Sequence, residues 1–454
     1  MQNLIALALA IFAGLMLSRV AKLLKLPAVT AYLVAGILIG PYVLGQLGVE
    51  GLGFVSLENV KSFSIISEVA LGFIAFSIGN EFRVAQLKKI GKQATVIGIF
   101  QALVTAVLVD LALVALHFAM PKVLSLSAAL TLGAIATATA PAATLMVVKQ
   151  YKAKGPLTSI LLPVVALDDA VGLVIFSVSF GVAKALVPGG QISVISILVE
   201  PLLEVVLSLA LGAAVGFIFT FFERFFHSRS KRLSMSVAFV LLTVGLSMMK
   251  FEVPVAGETV HVGFSSLLTC MMLGTVFCNI CDFSEELMDR VDRWVAPIFV
   301  LFFVISGAEL ELSVFTSLSV IIVGIVYIAA RSAGKYSGAF LSAKATKCDS
   351  KIVKYLGITL LPQAGVALGM AIKVGNTVGF ESDADIVRNI TLFAVLVYEL
   401  VGPMLTKISL LKAGEIRPDG RSSAREAARI VKQRHLQMEA EQAKREKEEN
   451  ADVK

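Results

Sequence analysis

Charge is what this chain has least of. Only 16% of its 454 residues are Asp, Glu, Lys or Arg, where a soluble domain carries about 25%. Four cysteines, Cys270, Cys278, Cys281 and Cys348, are too few to imply a disulfide framework. Cys278-x-x-Cys281 has no second pair to complete a zinc or redox centre. The opening Met1-Gln2-Asn3 holds no Lys or Arg before the first apolar run, which argues against a cleaved signal peptide. What fills the space is apolar: 57% of residues are hydrophobic and the mean hydropathy is +0.85. The chain is expected to be an all-α polytopic membrane protein.

Apolar runs of about 20 residues fall near 3–24, 27–48, 60–80, 93–118, 125–149, 156–182, 193–222, 233–250, 262–279, 294–313, 315–342, 351–374 and 385–410. That makes about thirteen transmembrane helices in a domain over 1–412. Alternate loops are basic, as at Arg19, Lys22 and Lys25, at Arg83, Lys88 and Lys89, and at Lys149, Lys152 and Lys154. The others carry Glu50, Glu58, Glu252, Glu258, Glu381, Asp383 and Asp385. The positive-inside rule then places the amino terminus outside and the carboxyl terminus in the cytoplasm, in the inner (plasma) membrane. The net charge of +7 belongs to this bias and to anionic lipid, and it gives no reason to expect nucleic acid. Residues 413–454 alternate charges without apolar runs and read as a cytosolic tail, a short helix fraying into solvent.

Two adjacent carboxylates, Asp168 and Asp169, stand in the middle of Leu161–Phe176, an otherwise apolar run. Each charge at a helix centre costs about 2.5–3.5 kcal/mol on insertion scales, so such groups face a cavity, a partner or water and mark ion or proton sites. The structural alternative is a buried pair bonded only to neighbouring helices. On a helix, residues i and i+1 point about 100° apart, so the two cannot share one proton as a facing dyad. One can pair with a fixed cation while the other faces the cavity. A cavity-facing Asp169 would exchange H⁺ for a metal cation. Arg331 and Lys335, four apart on one face of the eleventh span, are the candidate counter-charges.

A faint internal repeat runs through the chain. The third span closes Gly79-Asn80-Glu81-Phe82 and the tenth closes Gly307-Ala308-Glu309-Leu310. The fifth span breaks at Pro141, the twelfth at Pro362 within Leu360-Leu361-Pro362-Gln363-Ala364-Gly365. An offset of seven spans reverses direction across the bilayer, so the halves, about 1–182 and 233–410, are expected to be inverted repeats. Interrupted spans at corresponding positions point to a transporter's substrate site. Each break frees backbone carbonyls, and Thr137 and Thr139 add hydroxyls beside the first; such hard oxygens suit a small cation. Each threonine can equally bond back to its own helix.

Here the chain resembles bacterial sodium/proton antiporters of the second monovalent cation:proton antiporter branch. The resemblance rests on Ala166-Leu167-Asp168-Asp169-Ala170-Val171-Gly172-Leu173, on Ser18-Arg19-Val20-Ala21-Lys22-Leu23-Leu24-Lys25-Leu26-Pro27, on Ala35-Gly36-Ile37-Leu38-Ile39-Gly40-Pro41 and on Tyr398-Glu399-Leu400-Val401-Gly402-Pro403. It implies two unwound crossing helices, a core domain moving against a dimerisation domain, a homodimer, and electrogenic exchange of Na⁺ (Li⁺ or K⁺ sharing the same ligand chemistry) for H⁺. It implies that Asp169 carries the cation and proton, that Asp168 completes the metal-ligand pair, and that a basic residue of the eleventh span neutralises Asp168. The family's Lys/Arg-x-x-Gly pattern is met by Arg331…Gly334 and by Lys335…Gly338, and Arg331 is preferred because Gly338-Ala339 follows. No cofactor is implied beyond the transported ions. Two features depart from the family: Ala140 replaces the acidic residue common before the proline of the fifth span, and the tail is too short for the nucleotide-binding domain of potassium-efflux relatives.

An intramembrane aspartyl protease needs carboxylates on two separate helices facing each other, whereas this pair is consecutive and no Gly-x-Gly-Asp occurs, so the residues favour transport over this enzyme class. A cation channel or a potassium-efflux type transporter are the alternatives. Asp110 and Glu399, also deep in spans, read as packed structural partners.

Overall fold

The computed structural model describes residues 2–48, 53–186, 199–226, 228–249, 251–255, 258–281, 283–310, 317–375, 377 and 380–416. Most of the tail, 417–454, and the expected start of the seventh span, 193–198, lie outside them. Among the described residues nine helices are long and apolar enough to cross a membrane. In order the chain forms α1 (Gln2–Leu23), α2 (Ala28–Ile39), a short α3 (Leu57–Lys61), α4 (Ser64–Asn80), α5 (Val84–Ala119), α6 (Leu126–Ile135), α7 (Pro141–Tyr151) and α8 (Pro156–Ala185). It continues with α9 (Glu200–Glu223), α10 (Arg229–Ser247), α11 (Ser266–Ile280), α12 (Ser284–Ala308), α13 (Leu318–Ala345), α14 (Ser350–Thr359), α15 (Gly365–Gly375) and α16 (Glu381–Lys412). The fifth and twelfth spans are the pairs α6/α7 and α14/α15; the third and ninth are the shorter helices α4 and α11. Between α10 and α11 the chain adds an antiparallel hairpin, β1 (Phe251–Val255) against β2 (Glu258–Val262), with Phe251 opposite Val262.

The two interruptions follow from their prolines. A residue before proline is pushed out of the α region, and Ala140 is extended at φ −90°, ψ 102° before Pro141 opens α7. Leu361 stands in the same relation to Pro362, and the helix stops at Thr359, to resume only at Gly365. Ser125 accepts from the Ala128 amide at 3.0 Å to start α6, and Asp349 accepts from Lys351 at 2.8 Å to start α14.

The helices sort into two bundles. One packs α1, α2, α4 and α9–α12; the other packs α5, α6, α8, α13, α14 and α16 around the breaks. The outer faces of α1, α5 and α9 expose Phe12, Leu15, Leu103, Leu111, Phe217 and Phe221, an apolar belt that suits lipid. Within the first bundle, three helix pairs touch backbone to backbone: α4 with α11, α2 with α12, and α9 with α11, where a Cβ on Gly212 would fall 2.2 Å from the Thr269 carbonyl. An ideal Cβ on Gly79 of α4 would fall 1.9 Å from the Met271 carbonyl of α11, and one on Gly307 of α12 would fall 2.2 Å from the Leu33 carbonyl of α2. The repeated Gly-x-Glu close is therefore a packing device, with the glycine at the crossing and the glutamate capping the helix end.

On the side of the basic loops, α7 is pinned to the first bundle. Lys149 Nζ meets Asp292 Oδ1 of α12 at 2.6 Å, and Ser77 of α4 donates to the same oxygen at 3.1 Å. Pro27 offers no side-chain acceptor to the start of α2, and Gln150 supplies one, accepting from Ala28 N at 2.9 Å. Lys407 of α16 donates to the Lys25 carbonyl and lies 5.0 Å over the Tyr151 ring.

Gly307→Val should cost at least about 3 kcal/mol, the upper end of overpacking, because the clash is with backbone that cannot rotate away. Gly245→Ala, with nothing within 4 Å of its Cβ position, should leave thermal melting in detergent unchanged. Equal melting of the two variants would refute this account of the crossing.

Candidate functional site

The site is built where the unwound segments of the fifth and twelfth spans cross. Hydrocarbon offers no water to the amides and carbonyls that the breaks leave bare, and the segments satisfy each other. Ala140 N donates to the Pro362 carbonyl at 2.8 Å. Gln363 Nε2 donates to the Ile135 carbonyl, the end of α6, at 3.1 Å, and to the Tyr327 hydroxyl at 3.0 Å.

The rest is done by the two cations of α13, both fully buried. Arg331 donates from Nε to Ala136 O at 2.9 Å, from Nη2 to Ala138 O at 2.7 Å and from Nη1 to Leu361 O at 2.7 Å. Its guanidinium also lies 4.4 Å from the Tyr398 ring centre. One rigid fork thus ties both breaks together. The ends of α6 and α14 that converge on it carry the partial negative charge of helix C-termini. Arg331 is in no ion pair among the described residues; carbonyl dipoles stand in for the carboxylate.

Lys335 takes the partner expected for Arg331. Its Nζ lies 2.8 Å from Asp168 Oδ2, 2.7 Å from Thr137 O and 2.9 Å from Thr139 Oγ1, which uses all three ammonium protons. The preference for an Arg331–Asp168 pair is corrected. The Lys/Arg-x-x-Gly spacing could not discriminate, because both glycines serve the same packing: Cβ atoms on Gly334 and Gly338 would each come within 2.7 Å of α5 backbone, at Thr105 and Gln101. Formal charge alone leaves both cations as candidates; the carbonyls that hold Arg331 come together only once the breaks cross.

Asp168 is fully enclosed. Besides Lys335 it accepts from Thr139 Oγ1 at 2.5 Å and from Gln101 Nε2. Gln101 was missed in the sequence; a lone amide within the apolar fourth span was its only signal. Asp169, 8% exposed, is the opposite case. Neither of its oxygens has a hydrogen-bond partner among the described residues. Gly172, one turn on, faces the first break, where its Cβ would lie 3.1 Å from Thr137 Oγ1. Thr137 donates that hydroxyl to Ala134 O at 2.7 Å, which keeps its proton busy and leaves lone pairs toward α8. Thr139, by contrast, belongs to the Asp168–Lys335 network. Asp110 is not brought to this cluster: its Oδ1 lies against Gly133 of α6 without a hydrogen-bond partner.

A buried carboxylate without a partner is costly unless a proton or a cation neutralises it. One neutralised aspartate and one bare aspartate at a crossing of broken helices are the site of a monovalent cation:proton antiporter, the class that comparison with known proteins shows. The chain belongs to the family described as sodium/hydrogen exchanger, transmembrane, which matches residues 7–412. It is 24% identical over 403 residues to the K(+)/H(+) antiporter subunit KhtU of Bacillus subtilis, covering 86% of this chain and 90% of that one. It is 22% identical over 389 residues to the Na(+)/H(+) antiporter NhaS4 of Synechocystis, covering 84% and 91%. Two structures of the sodium proton antiporter MjNhaP1 from Methanocaldococcus jannaschii share the fold. One, at pH 8, has TM-score 0.62 and 21% identity, covering 91% of this chain and 99% of that one. The other has TM-score 0.69 and 18% identity, covering 91% and 98%.

Lys335→Met leaves Asp168 buried without its counter-charge and should destabilise the protein by about 3–5 kcal/mol. Adding Asp168→Asn should restore part of the loss. In a double-mutant cycle on thermal stability, Asp168 should couple more strongly to Lys335 than to Arg331; the reverse order would return the pairing role to Arg331.

Proposed function

We propose that the protein exchanges Na⁺ for H⁺ by alternating access, with Asp169 as the group that holds each in turn. The observation that carries this reading is the contrast between the two aspartates. Asp168 has its charge and hydrogen bonds met by Lys335, Thr139 and Gln101, whereas Asp169 is buried with both oxygens unmet. Asp169 with its proton is neutral and can cross a low-dielectric barrier; Asp169 with a monovalent cation is neutral as well. The bare carboxylate is the form that needs water or an ion, so it is the form exposed at either face. The Thr137 hydroxyl, whose proton goes to Ala134 O, supplies a further hard oxygen for the cation.

The bundle around the breaks carries Asp169 and would move against the bundle of α1, α2, α4 and α9–α12. Lys149–Asp292 and Gln150–Ala28 would then hold one closed side, the cytoplasmic side if the amino terminus lies outside. Packing supports an inverted repeat over about 1–182 and 233–410: α2 meets α12 as α4 meets α11, and α5 meets α8 as α13 meets α16. The lipid-facing belts and the family fold suit a multi-pass protein of the plasma membrane working as a homodimer. If two protons replace one Na⁺, each net charge moved is worth about 2.3 kcal/mol per 100 mV. K⁺ in place of Na⁺ is a second reading, favoured by the likeness to the K(+)/H(+) antiporter subunit KhtU.

In proteoliposomes, Na⁺, Li⁺ or K⁺ added against a proton gradient should release protons, with Na⁺ giving the largest signal. Asp169→Asn should reduce that signal to the level of empty vesicles while the protein still melts cooperatively. Near-normal exchange by a folded Asp169→Asn variant would sink the mechanism; a conductance that an imposed cation gradient cannot couple to protons would make the protein a channel.

A further inference from the structure

The last span repeats the ion helix. Set side by side without a gap, Val165-Ala166-Leu167-Asp168-Asp169-Ala170-Val171-Gly172 of α8 meets Val395-Leu396-Val397-Tyr398-Glu399-Leu400-Val401-Gly402 of α16. Val165, Val171 and Gly172 recur as Val395, Val401 and Gly402, and Asp169 falls on Glu399.

The packing repeats as well. Gly172 faces Thr137 at the first break; Gly402 faces the second, where its Cβ would lie 2.9 Å from Pro362 Cγ. The residue before each carboxylate is tied to α13. Asp168 takes Lys335, and Tyr398 shares a hydrogen bond with Ser332 Oγ at 2.8 Å, donates to Ile328 O at 2.9 Å and lies under Arg331. The carboxylate that follows keeps an unmet oxygen in each case, both of them at Asp169 and one at Glu399. Glu399 is 6% exposed and its Oε2 has no hydrogen-bond partner among the described residues. The expectation of a packed structural partner is therefore not met at that oxygen.

We propose that Glu399 is a second exchangeable carboxylate of the transport path, the counterpart of Asp169 on the other break, holding the same monovalent cation or the proton that replaces it. One carboxylate beside each break gives a cation hard oxygens at two positions. Glu399 thereby becomes a station on the route to Asp169, loaded and unloaded as the bundles move. This rests on the exchange reading above.

Two measurements test it. In proteoliposomes, Glu399→Gln should keep exchange but raise the Na⁺ concentration for half-maximal rate by about tenfold, the low end of the loss when an outer partner of a metal site is removed. Glu399→Asp should recover most of that affinity, which a packing role would not predict. On the unmodified protein, a hydrophobic carbodiimide should label Glu399, and Na⁺ should protect it. A Glu399→Gln variant with the affinity and reversal potential of the parent overturns the proposal. If that variant fails to fold, labelling of Glu399 that is absent, or indifferent to Na⁺, overturns it instead. Exchange lost in Asp169→Asn but untouched in Glu399→Gln removes this site alone; no exchange by the parent protein removes the transport reading itself.

Discussion

Everything at the centre of this protein depends on satisfying carbonyl groups that hydrocarbon cannot hydrate. Two spans stop half-way, and each stop bares the end of a helix in a medium where an unmet polar group costs several kcal/mol. Arg331 answers three of those carbonyls with one planar group, and Lys335 a fourth. Gln363 answers the Ile135 carbonyl and the Ala140 amide the Pro362 carbonyl. Without α13 the crossing has no filling, and without the crossing two buried cations have no reason to be there.

That arrangement also separates the two aspartates chemically. Lys335 is committed to Asp168 and the first break, and Arg331 is committed to both breaks. Fixed positive charge therefore offsets the local carbonyl dipoles and one carboxylate, and leaves the next one over. Asp169 owes its availability to a shortage of partners one residue beyond a site where partners are plentiful. Such a charge balance favours a mobile cation or a proton, because either restores neutrality in a low-dielectric setting.

The bundle that holds the crossing meets its neighbour through different chemistry. Glycine contacts fasten the first bundle to itself at backbone distance, where nothing can slide. Near α7 the bundles meet through an ion pair and single hydrogen bonds, beside an apolar seam that includes Ala142 and Leu145 of α7 and Leu162 and Ala166 of α8. Polar interactions of that kind break and reform at modest cost when partly solvated. Polar contacts that can break, set beside a packed apolar seam, suit the alternating access proposed above.

Composition and hydropathy by themselves determined the membrane class and the number of spans, because the length of an apolar run is set by bilayer thickness and needs no tertiary information. The breaks were legible too, since proline acts on its immediate neighbours, as Ala140 and Leu361 show. So was the importance of Asp168 and Asp169, because charge in an apolar run is costly wherever the run lies. Tertiary structure decided the partners. Whether Arg331 or Lys335 met Asp168 turned on where the carbonyls of two distant segments converge, and no spacing along one helix encodes that. Gln101 entered the site for the same reason: its contact with Asp168 exists only because Gly334 and Gly338 let α5 and α13 approach at backbone distance, bringing together side chains far apart in the chain.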